Sequence, residues 1–232
     1  MTDARSRCGE CPTRRFCLAR DLDASGLDRL SALLAPPIQL SRGDYLYRFG
    51  DRTSALHLVR SGAFKTLTVT ADGEEHVTGF HFPGEIFGLT GFTTGVHEDT
   101  AMALDTSSVC RVHVDELPGL WGAGCDVAFL RLLGEKESAA TRLRILLSEP
   151  RAASRLAVFL LQLAERQRRL GRTTDVLYLP VSRTDLANHL GMTLEALSRV
   201  ISRLSRAGLL AMERMEVRVL RQAELETLAG SR

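Results

Sequence analysis

The stretch "VSRTDLANHLGMTLEALSRVISRLSRAGLL", residues 181–210, leaves its backbone little choice. Leu186 and Leu190 lie four apart on a first short helix, and Gly191 follows where a turn needs backbone freedom. Leu197, Val200, Ile201 and Leu204 then recur at i, i+3, i+4 and i+7 on a second helix. Ala187 is small where the two helices must cross closely, and Thr193 suits the N-cap of the second. These offsets predict two helices packed across a tight turn.

The side of the second helix not used by the apolar stripe carries Glu195, Ser198, Arg199 and Ser202 or Arg203. They fall on one face near the helix start, where a helix lying in the major groove of double-stranded DNA meets base edges. Arg199 suits a bidentate contact to guanine, and Glu195 suits acceptance from the amino group of cytosine or adenine. The competing reading is an ordinary solvated face. After Gly208, "LLAMERMEVRVL" alternates as two strands turning near Glu213 and Arg214, the wing of a winged helix. Charge is segregated in the same sense: 16 basic residues face 20 acidic ones through Pro150, and 14 face 8 after it. A basic C-terminal part fits a phosphate-binding surface, although charge alone also fits a solvated helix.

From Ile38 to about Leu117 the pattern is different. Turn signals ("RGD" at 42–44, "FGD" at 49–51, "SG" at 61–62, "DG" at 72–73, "PGE" at 83–85) recur about every ten residues, between short alternating stretches such as "LHLVRSG", "FKTLTVT" and "VTGFHF". Such spacing predicts an antiparallel β-barrel or jelly roll. A short amphipathic helix around "DLDASGLDRLSALL" precedes it. Between Asp126 and Leu147 the period turns helical. The stripe of Phe129, Leu132, Leu133, Lys136, Ala140, Leu143 and Leu147 is too apolar to stand alone and predicts a seam between two copies of the chain, with intramolecular core as the alternative. Pro150 ends this helix, and "RAASRLAVFLLQLAERQRRLG" opens another domain with an amphipathic helix.

The leader "RCGECPTRRFCLAR" packs Cys8, Cys11 and Cys17 into a segment too polar and basic to be a core, and Cys110 and Cys125 bring the count to five. The N-terminus lacks the apolar run of a signal peptide, and no stretch has the length of a membrane span, so a cytoplasmic protein with no membrane partner is expected. Reducing cytosol turns suspicion from disulfides to metal ligation, redox chemistry or burial. Zinc is one option for four thiolates, but its sites usually show two short paired spacings, and only Cys8-x2-Cys11 is present. No nucleophile–base set, paired-carboxylate site or phosphate loop stands at useful spacing, which weighs against an enzyme. The six histidines form no ligand cluster in sequence.

A β-barrel, a long dimer-type helix and a C-terminal winged helix, in that order, resemble the CRP/FNR superfamily of transcription regulators over nearly the whole chain. "TLEALSRVISRL" carries Glu195, Ser198 and Arg199 in the E-x-x-S-R arrangement of the FNR branch, and "GAFKTLTVTADGEEHVTGFHFPGEIFG" resembles that branch's sensor segment. The resemblance implies an α+β organisation: a cysteine-rich cluster-binding leader over 1–20, a cyclic-nucleotide-binding-like jelly roll over 21–125, a dimerisation helix over 126–149 and a winged helix-turn-helix over 150–232.

It also implies a [4Fe-4S] cluster on Cys8, Cys11, Cys17 and Cys110, with Cys125 the less favoured fourth ligand and a buried small hydrophobe in the alternative. Arg7, Arg14 and Arg15 are expected to favour the thiolates, and Phe16 and Leu18 to limit access of oxygen and water. In this picture the cluster orders the leader without oxygen, two chains pair along the helix, and Glu195, Ser198, Arg199 and Arg203 read TTGAT-type half-sites. Oxygen degrades the cluster through a [2Fe-2S] form and weakens the dimer, and contacts to RNA polymerase alter transcription.

The family's cyclic-AMP pocket pairs a Gly-Glu with a later arginine. Here Gly84-Glu85 is present, but Glu98 and Asp99 stand before Thr100-Ala101, and two carboxylates repel a phosphate. The family's dimer helix carries an acidic residue whose repulsion keeps the cluster-free form monomeric; here "ESAATRLRILLS" offers Arg142 and Arg144. Thiol redox chemistry without iron, or another effector such as haem, are the alternative sensing modes.

Overall fold

The protein is described from a computed structural model, which covers residues 8–113, 115, 116, 118 and 125–230. It divides into two compact units, Met1–Glu137 and Ser138–Arg232, the division falling inside the long helix.

In the first unit, helix α1 (Ala24–Leu33) starts at Asp23, whose side chain accepts from the Gly26 N–H at 2.8 Å. Eight strands follow among the described residues: β1 (Leu34–Leu40), β2 (Tyr45–Tyr47), β3 (Ala55–Ser61), β4 (Phe64–Val69), β5 (Glu75–His81), β6 (Ile86–Phe87), β7 (Thr100–Ala103) and β8 (Ser107–His113). Four of the five turn signals of the sequence fall between two of them, and the fifth, at 61–62, straddles the end of β3. All pairings are antiparallel, in two four-stranded sheets of order β1-β8-β3-β6 and β2-β7-β4-β5. The arrangement is therefore a jelly-roll-like pair of open sheets rather than a closed barrel.

Between the sheets lies a core of Leu40, Tyr47, Val59, Phe64, Phe87, Ala101, Ala103 and Val109. The other face of the first sheet is covered too. Leu56, Leu58, Ile86 and Val112 point into a second core with Cys8, Leu18, Ala19, Leu22 and Leu30, and with Ala128 and Leu132 of helix α2 (Cys125–Ser148). Because both faces are covered, Ala55 to Val59 of β3 are buried without interruption. The leader expected to be too polar for a core thus contributes one: Leu18 and Ala19 are 0% exposed.

The second unit contains α3 (Ala152–Arg169), β9 (Val176–Tyr178), α4 (Arg183–His189), α5 (Leu194–Arg206), β10 (Leu210–Glu213), β11 (Glu216–Val219) and α6 (Gln222–Leu228). The wing hairpin β10–β11 extends to a third strand, β9, which the sequence pattern did not disclose. Buried Gln167 ties α3 to β9, donating to the Tyr178 carbonyl at 2.6 Å and accepting from the Tyr178 N–H at 3.1 Å. Among the described residues no helix is long and apolar enough to cross a membrane.

Candidate DNA-reading face and four-cysteine site

The helix pair forms as its offsets demand. Ser182 caps α4, accepting from the Asp185 N–H at 2.9 Å, and Thr193 caps α5, accepting from the Ala196 N–H at 3.2 Å. Gly191 has φ +61°, the left-handed turn for which glycine was expected. Leu186, Ala187, Leu190, Leu197, Val200 and Leu204 are buried, and Ile201 is half-buried.

Glu195, Ser198, Arg199, Ser202 and Arg203 are all exposed on α5. The N–H of Glu195 itself and the Thr193 hydroxyl hold the Glu195 carboxyl below the usual carboxylate range, leaving it an acceptor at neutral pH. Ser198, Arg199, Ser202 and Arg203 line an open groove with Arg151 and Arg206. The last two were not singled out in sequence; the basic excess after Pro150 was their only signal.

In the leader, hydrogen-bonded turns begin or end at each cysteine. The Cys11 N–H donates to the Cys8 carbonyl (3.3 Å), Arg14 to Cys11 (3.0 Å), Cys17 to Arg14 (3.4 Å) and Arg20 to Cys17 (3.0 Å). Cys110 arrives from β8, where it pairs in register with Leu58 of β3 and shares the leader-facing side with Val112. All four thiols are free, and Cys8, Cys11, Cys17 and Cys110 line one small pocket closed by Leu30, Leu58 and Arg60 among others. The side chain of Cys125, like Arg7, lies outside the described residues.

Protein groups already address two of the sulfurs. The Ala19 N–H donates to Cys17 Sγ at 3.4 Å and Thr13 Oγ1 stands 3.1 Å from Cys11 Sγ, while at Cys8 it is the backbone N–H that donates, to the Ser31 hydroxyl at 3.3 Å. Burial outweighs these contacts. It pushes the Cys17 thiol up to about 12 and Cys110 to about 11, and raises Cys8 as well. Arg14 does favour the Cys8 thiolate, as expected of the neighbouring arginines, but burial outweighs it. Arg15 is exposed, and Arg14, felt at Cys8, donates to the Leu22 carbonyl at 3.4 Å.

Among the described residues no three His, Cys, Asp or Glu are gathered closely enough for one metal ion. A tetrahedral zinc site with bonds near 2.3 Å requires sulfurs roughly 3.8 Å apart. Four thiols lining one pocket, with an amide and a hydroxyl group beside two of the sulfurs, are a donor set for a multi-iron group.

The leader is tied to α2. Asp21 pairs with Arg131, and Arg20 Nη1 stands 3.5 Å from Glu135. Of the residues expected on a seam between chains, Leu132 is 5% exposed, and Phe129 and Leu133 pack against the same leader core. Lys136 reaches His81 Nδ1 at 3.4 Å. These four make contacts within their own chain, the alternative the sequence left open: α2 has two apolar sides, and period alone does not say which side meets the sheet. Val127 and Leu130 instead point to solvent, at 58% and 63% exposed. Ala140 is exposed, Leu143 half-buried, and Leu147 packs near Gly191.

At the cyclic-nucleotide position Asp99 is buried and accepts from Thr90 Oγ1 at 3.3 Å, while Thr94 Oγ1 lies 3.2 Å from Glu98 Oε1. Among the described residues no arginine is bonded to either carboxylate.

Comparison with known proteins gives two family matches, a Cyclic nucleotide-binding domain over 37–121 and a Crp-like helix-turn-helix domain over 154–228. Similar over nearly the whole chain are the transcriptional activator protein FnrA of Stutzerimonas stutzeri, at 36% identity over 97% of this chain and 93% of that one, and the transcriptional activator protein anr of Pseudomonas aeruginosa, at 35% over 97% and 93%. The fumarate and nitrate reduction regulatory protein of Vibrio cholerae is 32% identical over 96% and 90%. Among solved structures, FixK2 from Bradyrhizobium japonicum superposes with a TM-score of 0.72 at 25% identity, over 83% of this chain and 96% of that one.

Proposed function

The chain belongs to the CRP/FNR family of transcriptional regulators, and we propose that it is an oxygen-responsive one whose DNA binding is governed by a [4Fe-4S] cluster held by Cys8, Cys11, Cys17 and Cys110. The observation that carries this reading is the convergence of three leader cysteines and one strand cysteine on a single pocket. When bound, the cluster supplies an oxygen-labile inorganic centre that needs four thiolates.

This chain's residues supply the rest. Cys8, Cys17 and Cys110, whose thiols burial raises in the cluster-free fold, must release protons to become ligands, so cluster loss and protonation of these thiols favour each other. The leader holds α2 through Asp21–Arg131, Arg20–Glu135 and the packing of Leu18, Ala19 and Leu22 on Ala128 and Leu132. Whatever seats the leader therefore also seats α2. Its outward Val127 and Leu130 are the surface for a second copy, in place of the inward residues. Pairing sets two α5 helices on a palindrome, where Glu195, Ser198, Arg199 and Arg203 read TTGAT-type half-sites. Transcription is then altered through contacts to RNA polymerase. The carboxylates at Glu98 and Asp99 weigh against a cyclic nucleotide as effector.

Operator binding tests the proposal. Anaerobically prepared protein should bind a TTGAT palindrome and release it after air is admitted, and Cys→Ser at 8, 11, 17 or 110 should abolish the anaerobic binding. Equal binding in both atmospheres by all variants would support an effector unrelated to the cysteines.

A further inference from the structure

We propose that Arg60 is the built-in counter-cation of the four-cysteine pocket, a positioning charge that stabilises an anionic group seated among the thiols. This rests on the iron–sulfur reading above. Arg60 stands at the bulge of β3 between Val59 and Ser61, two residues beyond Leu58, the register partner of Cys110, and lines the same pocket as both. The residue is half-buried and lines the pocket. Its positive charge is felt at Cys8 on one wall and at Cys110 on another.

Arg60 also lacks protein partners among the described residues. Among the described residues its guanidinium has neither a hydrogen bond nor a carboxylate, whereas Arg14 already donates to the Leu22 carbonyl. A half-buried guanidinium ordinarily finds an anion or carbonyl to fork onto. Here the pocket itself is where that anion would sit. Four thiolates around a [4Fe-4S] core in its 2+ state leave about two net negative charges, and one-electron reduction adds a third. Arg60 stabilises the more negative reduced form more than the oxidised one. Reduction by dithionite adds one electron from the external reductant, and the ligation is unchanged. Removing the cation therefore moves the midpoint potential down.

The test uses the full chain, loaded anaerobically with iron and sulfide, as wild type, Arg60→Gln, Arg60→Lys and Arg14→Gln. Redox titration should show Arg60→Gln with about a tenfold higher oxidised-to-reduced ratio at a fixed potential, a shift of about 59 mV for a one-electron couple. Lysine at 60 should restore most of it, Arg14→Gln should change it less, and thermal melts of the cluster-free proteins should coincide. An Arg60→Gln protein that takes up no iron while Arg60→Lys does would uphold the charge role by the iron assay. Equal potentials in iron-loaded wild type and Arg60→Gln, or a lysine variant displaced as far as glutamine, would overturn the proposal alone. A wild type that takes up no iron and sulfide would overturn the iron–sulfur reading, and the proposal with it.

Discussion

Phe16 and Gly84 meet backbone to backbone: a Cβ added to Gly84 would lie 2.6 Å from the Phe16 carbonyl oxygen and 2.7 Å from its Cβ. Gly84 has φ +91°, so a side chain there is strained as well as crowded. The corner that carries a Gly-Glu pair in the cyclic-nucleotide fold here receives the leader. Gly84→Ala should lift the leader turn and destabilise the first unit by about 1–3 kcal/mol. Urea unfolding, with limited proteolysis around Phe16, measures both effects.

The two sides of α2 make opposite predictions. Leu132→Ala opens the leader core and should cost about 2–5 kcal/mol of stability. Leu130→Ala removes an exposed side chain, should leave monomer stability within about 0.5 kcal/mol, and should weaken self-association. Denaturant titration and analytical ultracentrifugation separate the two outcomes.

His57 provides a pH prediction. It is buried against Tyr47 and Phe87, with ring centroids 5.5 and 5.6 Å away. Burial, then repulsion from His97, Arg111 and His113, lowers its pKa to about 3. The unfolded side chain titrates near 6.5, so the unfolded state takes up the proton first. His57's contribution is complete above about pH 6.5 and is lost as pH falls toward about 3, amounting to about 2 kcal/mol by pH 5. His57→Phe should flatten the slope of stability between pH 7 and 5 relative to wild type.

On the recognition helix, Arg199→Ala should lose about 1–3 kcal/mol of discrimination at one guanine and relax preference at that position alone. Loss of affinity that is uniform across sequences in a binding-site selection would make Arg199 a phosphate contact instead.

The helix-turn-helix was legible because its signals are local. Gly191, Thr193 and the stripe from Leu197 to Leu204 fix the geometry within about thirty residues. The turn glycines disclosed the strands for the same reason. What stayed hidden depends on distant packing. β9 is a short strand visible only through its pairing with β11, and the inward turn of Leu132 depends on Leu18 and Leu22, more than a hundred residues earlier. The thiols' environment was misjudged similarly. Neighbouring arginines are visible in a string of letters, but the burial that outweighs them comes from α1, β3 and β8.

The central claim is that Cys8, Cys11, Cys17 and Cys110 together bind an oxygen-labile iron–sulfur cluster. It is tested most directly by iron and sulfide assay of anaerobically prepared protein, alongside its Cys110→Ser and Cys125→Ser variants. The account predicts about four irons per chain in the wild type and in Cys125→Ser, lost on exposure to air, and almost none in Cys110→Ser. Equal iron in both variants, or an iron-free wild type, would contradict it.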